Sequence, residues 1–405
     1  MRVVFLSPAY PPEMVQYARG LAEVGAEVYG VADTPREALN PAVKPYLTDY
    51  LHVPRIMDEV DVMDRVSTWL RGRTVDRVLA NWEPMVELAA RLRERWGMPG
   101  MSLDTARGFR DKQLMKERVA AAGIRVPRSR RIHTAAEARA AAEEIGYPLI
   151  LKPIAGAGSA DTYRVDSAAD LEQAIRCLHS VPEASCEEYI DGEEFTFDTI
   201  CIDGKPAIES VMAYYPKPLE MRMHEWVSPI GITVRDLDQE RLQGGLTLGR
   251  QVLQALGMGD GFTHMEWFLT KKGEAVFGEI GARPGGAGIV DQMNYTCDTD
   301  LFREWARVAC WKHFEGKTER KYNAAIIYKR ALGRGRITRI EGLREWLETC
   351  GRWVVEERLL RPGEMRRDWK QTLLSDGWVH VRHPDWDTAL AMAKAAATNI
   401  KLYAE

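Results

Sequence analysis

The chain has 405 residues, 28% of them charged and 45% hydrophobic, with a formal net charge of −4. This length exceeds what one hydrophobic core serves, so about two to four domains are expected. The nearly balanced charge gives no footprint for nucleic acid or an anionic membrane surface, and no apolar run approaches the roughly 18–20 residues of a membrane span. Small molecules are therefore the expected partners.

The cysteines and the start of the chain indicate the compartment. The six cysteines are widely scattered and include no CxxC pair. The first residues enter a strand pattern directly, without the features of a signal peptide. Both observations predict a protein of the reducing cytoplasm.

The first 105 residues alternate between strand and helix patterns. Strands are predicted at 2–6, 26–32 and 75–80, and this alternation indicates an open α/β domain with a parallel sheet. The loop after the first strand reads Ser-Pro-Ala-Tyr-Pro-Pro instead of GxGxxG, so a dinucleotide site is not expected there. The domain either packs against the rest of the chain or lends loops to a substrate pocket, and packing is the favoured interpretation.

Two lysines follow at the ends of predicted elements. Asp111 and Lys112 open a predicted helix, where the carboxylate suits the positive end of the helix dipole. Lys152 lies near the end of a strand predicted at 147–154.

The loop 155–160 after this strand consists of small residues, which let backbone amides approach an anion closely. It joins two strands, so it is a hairpin tip and not a Walker P-loop. A plain turn is the alternative interpretation. The residues in question are Gly156, Gly158 and Ser159.

Four glutamates lie within eight residues around the next turn. A strand that begins near Ser185 ends in an acidic pair, turns at Asp-Gly, and continues as a second strand towards Ile200. The glutamates are Glu187, Glu188, Glu193 and Glu194. A solvated acidic rim is the alternative to a binding role.

Two apolar runs that flank Thr-Lys-Lys-Gly at 270–273 predict a β-hairpin. Alternation of side chains places Glu266 and Glu279 on one face, opposite or diagonal to each other. Such carboxylates repel unless a cation lies between them, and hard oxygen ligands suit Mg²⁺ that bridges to substrate phosphates. A surface hairpin with a solvated acidic face is the alternative. The other face is predicted to hold Met265, Trp267, Leu269, Val276 and Ile280.

Arg283 follows the second carboxylate by four residues and precedes Pro-Gly-Gly. Its guanidinium is therefore expected near the place where charge gathers on a transferring phosphoryl group.

From about residue 318 the patterns change to shorter strands and helices, which predict a small α+β domain that closes the molecule. Its Gly-Arg-Gly-Arg turn at 333–336 is either a phosphate contact or a solvated turn, and the second is favoured.

These motifs occur in an order that resembles the ATP-grasp superfamily, and within it the carboxylate–amine ligases, such as the L-amino acid ligases and the biotin-carboxylase-like enzymes. The resemblance covers about residues 105–317 by motif. It implies an α/β and α+β architecture with an N-terminal open α/β (pre-ATP-grasp) domain at 1–105, an ATP-grasp domain at 106–317 and a small C-terminal α+β domain at 318–405.

The resemblance also implies roles for single residues. Lys112 and Lys152 would contact the ATP phosphates under a flap formed by 155–160. Glu266 and Glu279 would hold Mg²⁺, or Mn²⁺ in its place, and Arg283 would stabilise charge on the moving phosphoryl group. The residues implied to bind adenine and ribose are Glu187, Glu188, Ile190 and Glu194.

The chain departs from the family pattern at one position. Gly281 stands two residues past Glu279, where the family commonly has an Asn ligand, so one metal oxygen ligand is missing. Arg222, His224 and Glu225 lie where related enzymes place a basic residue that faces the γ-phosphate, and a surface loop is an equal alternative for each. His224 is retained as a candidate catalytic residue.

The implied reaction is phosphorylation of a carboxylate by ATP, followed by capture of the acyl phosphate by an amine. The alternatives are a carboxylase or formyl-transfer enzyme of the same superfamily and a nucleotide-binding regulator without turnover. The sequence does not identify the acid or the amine, although Trp226, Trp267, Arg222 and Tyr295 are candidate pocket walls. A homodimer is the usual state implied by the resemblance.

Overall fold

The computed structural model describes residues 1–154, 161–372 and 374–405. The predicted alternation of strands and helices is present at the start of the chain, with one further short strand that the pattern did not indicate. The strands are β1 (Arg2–Leu6), β2 (Glu27–Ala32), β3 (Asp49–His52) and β4 (Arg77–Leu79), and the helices are α1 (Met14–Glu23), α2 (Glu59–Trp69) and α3 (Val86–Trp96).

These strands form a parallel sheet in the order β3-β2-β1-β4. The order reverses between β1 and β4, so the loops that leave these two strands separate and open a crevice at the carboxyl edge of the sheet. The loops involved are those that follow Leu6 and Leu79.

A second, antiparallel sheet has the order β5-β8-β6-β7. Lys152 lies in its strand β6, while Gly156, Gly158 and Ser159 lie outside the described residues. The strands are β5 (Ser129–Ile132), β6 (Leu149–Pro153), β7 (Tyr163–Val165) and β8 (Ala184–Glu188), and the helices are α4 (Leu103–Gly108), α5 (Lys112–Ala121), α6 (Ala135–Ile145) and α7 (Ala168–Cys177).

The central sheet has nine strands in the described part of the chain, and it begins at the Asp-Gly turn where the chain leaves β8. Its first elements are β9 (Gly192–Ile202), β10 (Lys205–Ser210), β11 (Met212–Tyr215), α8 (Pro218–Met223), β12 (Ile230–Thr233), α9 (Glu240–Ala255), β13 (Gly261–Thr270), β14 (Ala275–Gly281), α10 (Ile289–Cys297) and α11 (Leu301–Trp311). The chain continues with β15 (Asn323–Tyr328), β16 (Leu332–Gly333), β17 (Ile337–Glu341), α12 (Leu343–Cys350), β18 (Val354–Leu359), β19 (Gly377–His383), α13 (Trp386–Asn399) and β20 (Lys401–Ala404).

The strand order is β14-β13-β9-β11-β12-β15-β19-β18, and β10 pairs with β9. Strand β12 pairs with β15, so the sheet continues across the predicted boundary at residue 317. A separate small sheet, β16-β20-β17, lies near the C-terminus. The division into domains at 105 and 317 stays a prediction.

The β13–β14 hairpin has the predicted turn, and Glu266 pairs directly with Glu279. The next pair is Trp267 with Phe277, which makes Gly278 the extra residue of a β-bulge. Phe277 therefore shares the apolar face with Trp267, and Val276 points to the opposite face. The prediction for Val276 was wrong because strict alternation takes no account of a bulge.

Gly278 permits this bulge because a Cβ atom at its position would lie 2.7 Å from the Glu266 carbonyl oxygen. Only a residue without a side chain fits so close to the neighbouring strand. The bulge thus sets the pairing that brings the two carboxylates to one face.

Helices α1 and α11 cross closely and attach the N-terminal sheet to the central sheet. A Cβ atom at Gly20 would lie only 2.5 Å from the Phe302 carbonyl oxygen, so glycine allows the backbones to approach. The Tyr17 ring packs edge-on against Phe302, with centroids 5.0 Å apart. Because α11 also packs on β9 and β13, this contact joins the N-terminal sheet to the central sheet.

In the described ranges, none of the helices combines the length and the apolar character that a membrane crossing requires.

Candidate active site

Most of the predicted site residues lie around one cavity, between the β5-β8-β6-β7 sheet and the β13–β14 hairpin. Strands β6 and β8 supply one wall, and β9, β13 and β14 supply the other. The predicted residues that line this first cavity are Lys112, Lys152, Glu187, Glu188, Ile190, Glu194, Glu266 and Glu279. Sequence positions up to 167 residues apart, from 112 to 279, therefore meet at one place.

Lysines surround Glu279 at the inner end of this cavity. The Lys152 Nζ lies 3.3 Å from Glu279 Oε2, and the Lys112 Nζ lies 3.6 Å from the same atom. Burial opposes ionisation of Glu279, but the charges of Lys112 and Lys152 outweigh it and hold the pKa of this carboxyl well below its usual range. Glu279 is thus a fixed anion.

The pKa of Glu266, which pairs with Glu279 across the hairpin, shifts in the opposite direction. Burial, and next the charge of Glu279, raise the pKa of the Glu266 carboxyl. Two acids that share a site cannot both ionise easily without a cation between them. The arrangement therefore fits a divalent cation held by Glu266 and Glu279, and such a cation would let both carboxylates ionise.

Among the described residues, no group of three or more His, Cys, Asp or Glu side chains is arranged to hold a metal ion. This is compatible with Mg²⁺, which is usually bound by one or two carboxylates together with substrate phosphates and water. The missing Asn ligand at position 281 agrees with a small protein ligand set.

Glu187 is already paired in this structure. Its Oε1 accepts hydrogen bonds from the Lys116 Nζ at 2.7 Å and the Ser185 Oγ at 2.8 Å, and Lys152 Nζ lies 3.1 Å from Oε2. Burial would raise the pKa of Glu187, but Lys116 and Lys152 lower it to about 2. Glu187 thus orients Lys152, and its predicted contact with adenine stays a prediction.

Glu188 and Glu194 differ in their partners. The Glu188 carboxylate accepts a hydrogen bond from Arg125 at 2.9 Å, and Glu188 is one of the residues that line the cavity. Burial, and then the charges of Glu266 and Glu279, raise the pKa of Glu194 well above its ordinary value. A hydroxyl-bearing ligand is a suitable partner for such a carboxyl group.

Arg283 is held by a residue that the sequence did not indicate. Its Nε donates to Glu83 Oε2 at 2.9 Å, and the other oxygen of Glu83 accepts from Arg110 at 2.5 Å. Glu83 follows β4 in the crevice of the N-terminal sheet. The available signal was its place after a parallel strand next to the reversal in strand order, where ligand sites commonly occur.

Gly281 lies under the side chain of Arg283. A Cβ atom at position 281 would be 3.2 Å from the Arg283 Cγ, a tight contact. The glycine therefore leaves room for Arg283 to fold back towards Glu83, which gives a physical reason for the departure from the family pattern.

A second, larger cavity lies beyond the carboxylate pair, and it shares Glu266 and Glu279 with the first. Arg283, Tyr214, Tyr328 and His264 line its central part. The N-terminal sheet contributes Tyr10, Glu13, Asn81, Trp82 and Glu83. The expectation that the N-terminal domain mainly packs against the rest of the chain was incomplete, because its loops also form a wall of the cavity.

The remaining candidates are distributed differently. Arg222 lines the second cavity, whereas His224 is absent from the walls of both cavities in the described ranges. The His224 ring stacks on Trp226 with centroids 4.7 Å apart. Its catalytic role stays a prediction that this placement does not support. Trp267 is fully buried core and stacks on Phe195.

The comparisons agree with this geometry. Residues 145–291 match the family model described as ATP-grasp domain. An L-arginine-specific L-amino acid ligase of Bacillus subtilis is 25% identical over 353 residues, which cover 85% of this chain and 84% of that protein. An alanine–anticapsin ligase of Bacillus subtilis is 26% identical over 285 residues, 65% of this chain and 60% of that protein.

Among solved structures, an L-amino acid ligase from Bacillus licheniformis has the same fold with a TM-score of 0.81. The match covers 100% of this chain and 98% of that one at 21% sequence identity. Residues 145–291 are therefore identified as an ATP-grasp domain, as the resemblance predicted. These relatives support an ATP-dependent ligase of the carboxylate–amine type, which is the class that the resemblance predicted.

Proposed function

We propose that the protein joins the carboxylate of one small molecule to the amine of another through an acyl phosphate, and that amino acids are the substrate class. The observation that carries the proposal is the position of Glu266 and Glu279 between two cavities. ATP would occupy the first cavity, and the acid and amine would occupy the second. The relatives named as amino acid ligases support the choice of substrate class.

Each charged residue then has a chemical task. Lys112 and Lys152 would contact the phosphates of ATP, and Glu266 and Glu279 would hold Mg²⁺ against them. The ion, when bound, would neutralise charge on the phosphoryl group and orient it for transfer. Arg283, fixed by Glu83, would stabilise negative charge on the acyl phosphate and again when the amine attacks it.

Water must be excluded from the site because an acyl phosphate hydrolyses readily. The N-terminal loops, the central sheet, residues 367–372 and Leu374 line the second cavity on different sides. Walls that restrict the access of water would protect a reactive intermediate.

The test is release of ADP by the purified protein with a panel of L-amino acid pairs and Mg²⁺. We expect ADP release to require both an acid and an amine. The Arg283→Ala variant should lose at least about 100-fold in kcat, because one positioned electrostatic contact is removed, yet retain ATP binding by calorimetry. The matched control is Arg241→Ala, since Arg241 forms a surface ion pair with Glu193. ADP release that is indifferent to every acid–amine pair would contradict the proposal.

A further inference from the structure

The second cavity has a group of cations that the proposed phosphoryl chemistry does not use. They come from α8, from the end of β15 and from the segment that precedes β19. We call this group the basic wall, and its members are Arg222, Arg330, Arg367 and Lys370.

Arg330 is the buried centre of the basic wall. Only 9% of the residue is exposed, and its Nη1 donates to the Met221 and His224 carbonyls at 2.8 Å. Its Nε is buried without a hydrogen-bond partner. A buried unpaired donor is costly, so an acceptor supplied by a ligand would stabilise this site.

The surroundings keep Arg330 charged and oriented. Its guanidinium lies over the Trp369 ring, 4.5 Å from the centroid. Burial, and then the charge of Arg222, lower the pKa of Arg330 to about 10, so it remains a cation at neutral pH. The aromatic face fixes the plane of the guanidinium and leaves its edge for a planar anion.

The nearby acids do not neutralise the basic wall. Asp161 lies near Arg222, whereas Glu225 and Asp376 pair with Arg366 at 2.7 and 3.1 Å. The other oxygen of Asp376 accepts from the Arg367 backbone N–H at 2.8 Å. Within the described ranges, Arg330, Arg367 and Lys370 form no ion pair with a carboxylate, so this part of the cavity keeps an excess of positive charge.

The basic wall is electrostatically separate from the reaction centre. The main charged neighbours of Arg283 are Glu83, Glu266 and Glu279, whereas those of Arg330 are Arg222, Glu225, Arg366 and Asp376. In the proposed reaction, the acid substrate would place its carboxylate near Arg283, where it would be phosphorylated. A second set of cations in the same cavity suits a second anion.

We propose that the basic wall binds a carboxylate carried by the amine substrate, so that the nucleophile is an amino acid or another amine with an anionic group. This inference rests on the proposed function, because it assigns one of the two substrates to one end of the second cavity. The carboxylate would accept hydrogen bonds from Arg330 and Arg367, and Lys370 would add charge.

The experiment compares each amino acid nucleophile with its carboxamide, such as L-alanine with L-alaninamide and L-arginine with L-argininamide, at a fixed saturating acid. The wild type should prefer the carboxylate by at least about 10-fold in kcat/KM, since a charge-assisted hydrogen bond is lost with the amide. Arg367→Gln and Lys370→Gln should each raise KM for the carboxylate nucleophile by about 10-fold, so the preference for the carboxylate over the amide should fall by about the same factor. The matched control is Arg334→Gln, which removes an exposed charge outside the lining of the second cavity.

Arg330 also supports two backbone carbonyls, so Arg330→Lys is the variant to use there, with its melting temperature measured beside its KM. Equal use of amino acid and amide by the wild type would overturn the assignment of the basic wall and leave the ligase proposal intact. A shift of KM for the acid in place of the amine would overturn it as well. Absence of ADP with every acid–amine pair would instead reject the proposed function, and this inference with it.

Discussion

At the scale of single residues, the proposed reaction centre contains an ion pair that joins distant parts of the chain. Glu83 and Arg283 are 200 positions apart and 2.9 Å distant. Burial opposes ionisation of Glu83, but Arg283 and Arg110 outweigh it and lower its pKa. In the proposed reaction, Glu83 would therefore act through Arg283 as a positioning residue.

Replacing Glu83 by Gln keeps the shape of the side chain and removes its charge. We expect kcat to fall by about 10- to 100-fold with little change in KM for ATP, because Arg283 loses its orientation. Steady-state kinetics at several ATP concentrations would measure this. Glu87→Gln is the control, since Glu87 pairs with Arg107 and Arg91 nearer the surface. Unchanged kcat in Glu83→Gln would show that Arg283 needs no support from Glu83.

The sequence predicted some residues of the site and missed others, and the difference has a physical reason. Glu266, Glu279 and Lys152 lie in strands whose alternation and spacing indicate their faces. Glu83 and the basic wall are defined by contacts between regions far apart in sequence, and no local periodicity encodes such contacts. Arg330 is an ordinary arginine in the sequence, and only burial against Trp369 makes it unusual.

At the scale of elements, the β13–β14 hairpin shows both the strength and the limit of pattern analysis. The turn and the pairing of Glu266 with Glu279 follow from alternation and from the glycine-containing loop. The bulge at Gly278 could not be predicted from alternation, since a glycine inside a strand indicates either a bulge or a close approach of backbones. At Gly278 the bulge and the close approach occur together.

Substituting Gly278 by Ala tests the function of the bulge. The added methyl group would meet the Glu266 carbonyl oxygen, so we expect the free energy of unfolding to fall by about 1–3 kcal/mol. The shifted strand should also weaken Mg²⁺-dependent ATP binding, because Glu279 moves relative to Glu266. Urea unfolding and calorimetry would measure the two effects. Gly259→Ala is the control, because a Cβ atom there meets no atom within 4 Å. A Gly278→Ala protein with unaltered stability and metal dependence would contradict this account.

At the scale of the whole molecule, carboxylates from three regions of the chain converge beside the second cavity. Asp291 of α10 lies near Glu13 before α1 and Glu356 of β18. Burial, and then the charges of Glu356 and Glu13, raise the pKa of Asp291 to about 7. The folded state therefore binds this proton more tightly than the unfolded chain, where an aspartate titrates near 4.

The sign of the pH effect follows from this difference. The contribution of Asp291 to stability is fully present below about pH 4 and is lost as the pH rises through about 7. Asp291→Asn removes the titration, so the variant should gain on the order of 2 kcal/mol relative to wild type between pH 5 and pH 8. Thermal unfolding across this range would measure the gain. Asp387→Asn is the control, because Asp387 occupies the first turn of α13 and is exposed. A pH-independent difference between wild type and Asp291→Asn would contradict the assignment.

The continuity of the central sheet has a practical consequence for anyone who divides this chain for expression. A fragment that stops at residue 317 would lack β15, and the backbone groups of Ile230, Gly231 and Ile232 would lose their partners. An uncovered apolar strand edge recruits other chains and promotes aggregation. Poor yield of such a fragment would therefore report a severed sheet and say nothing about whether its nucleotide site is intact.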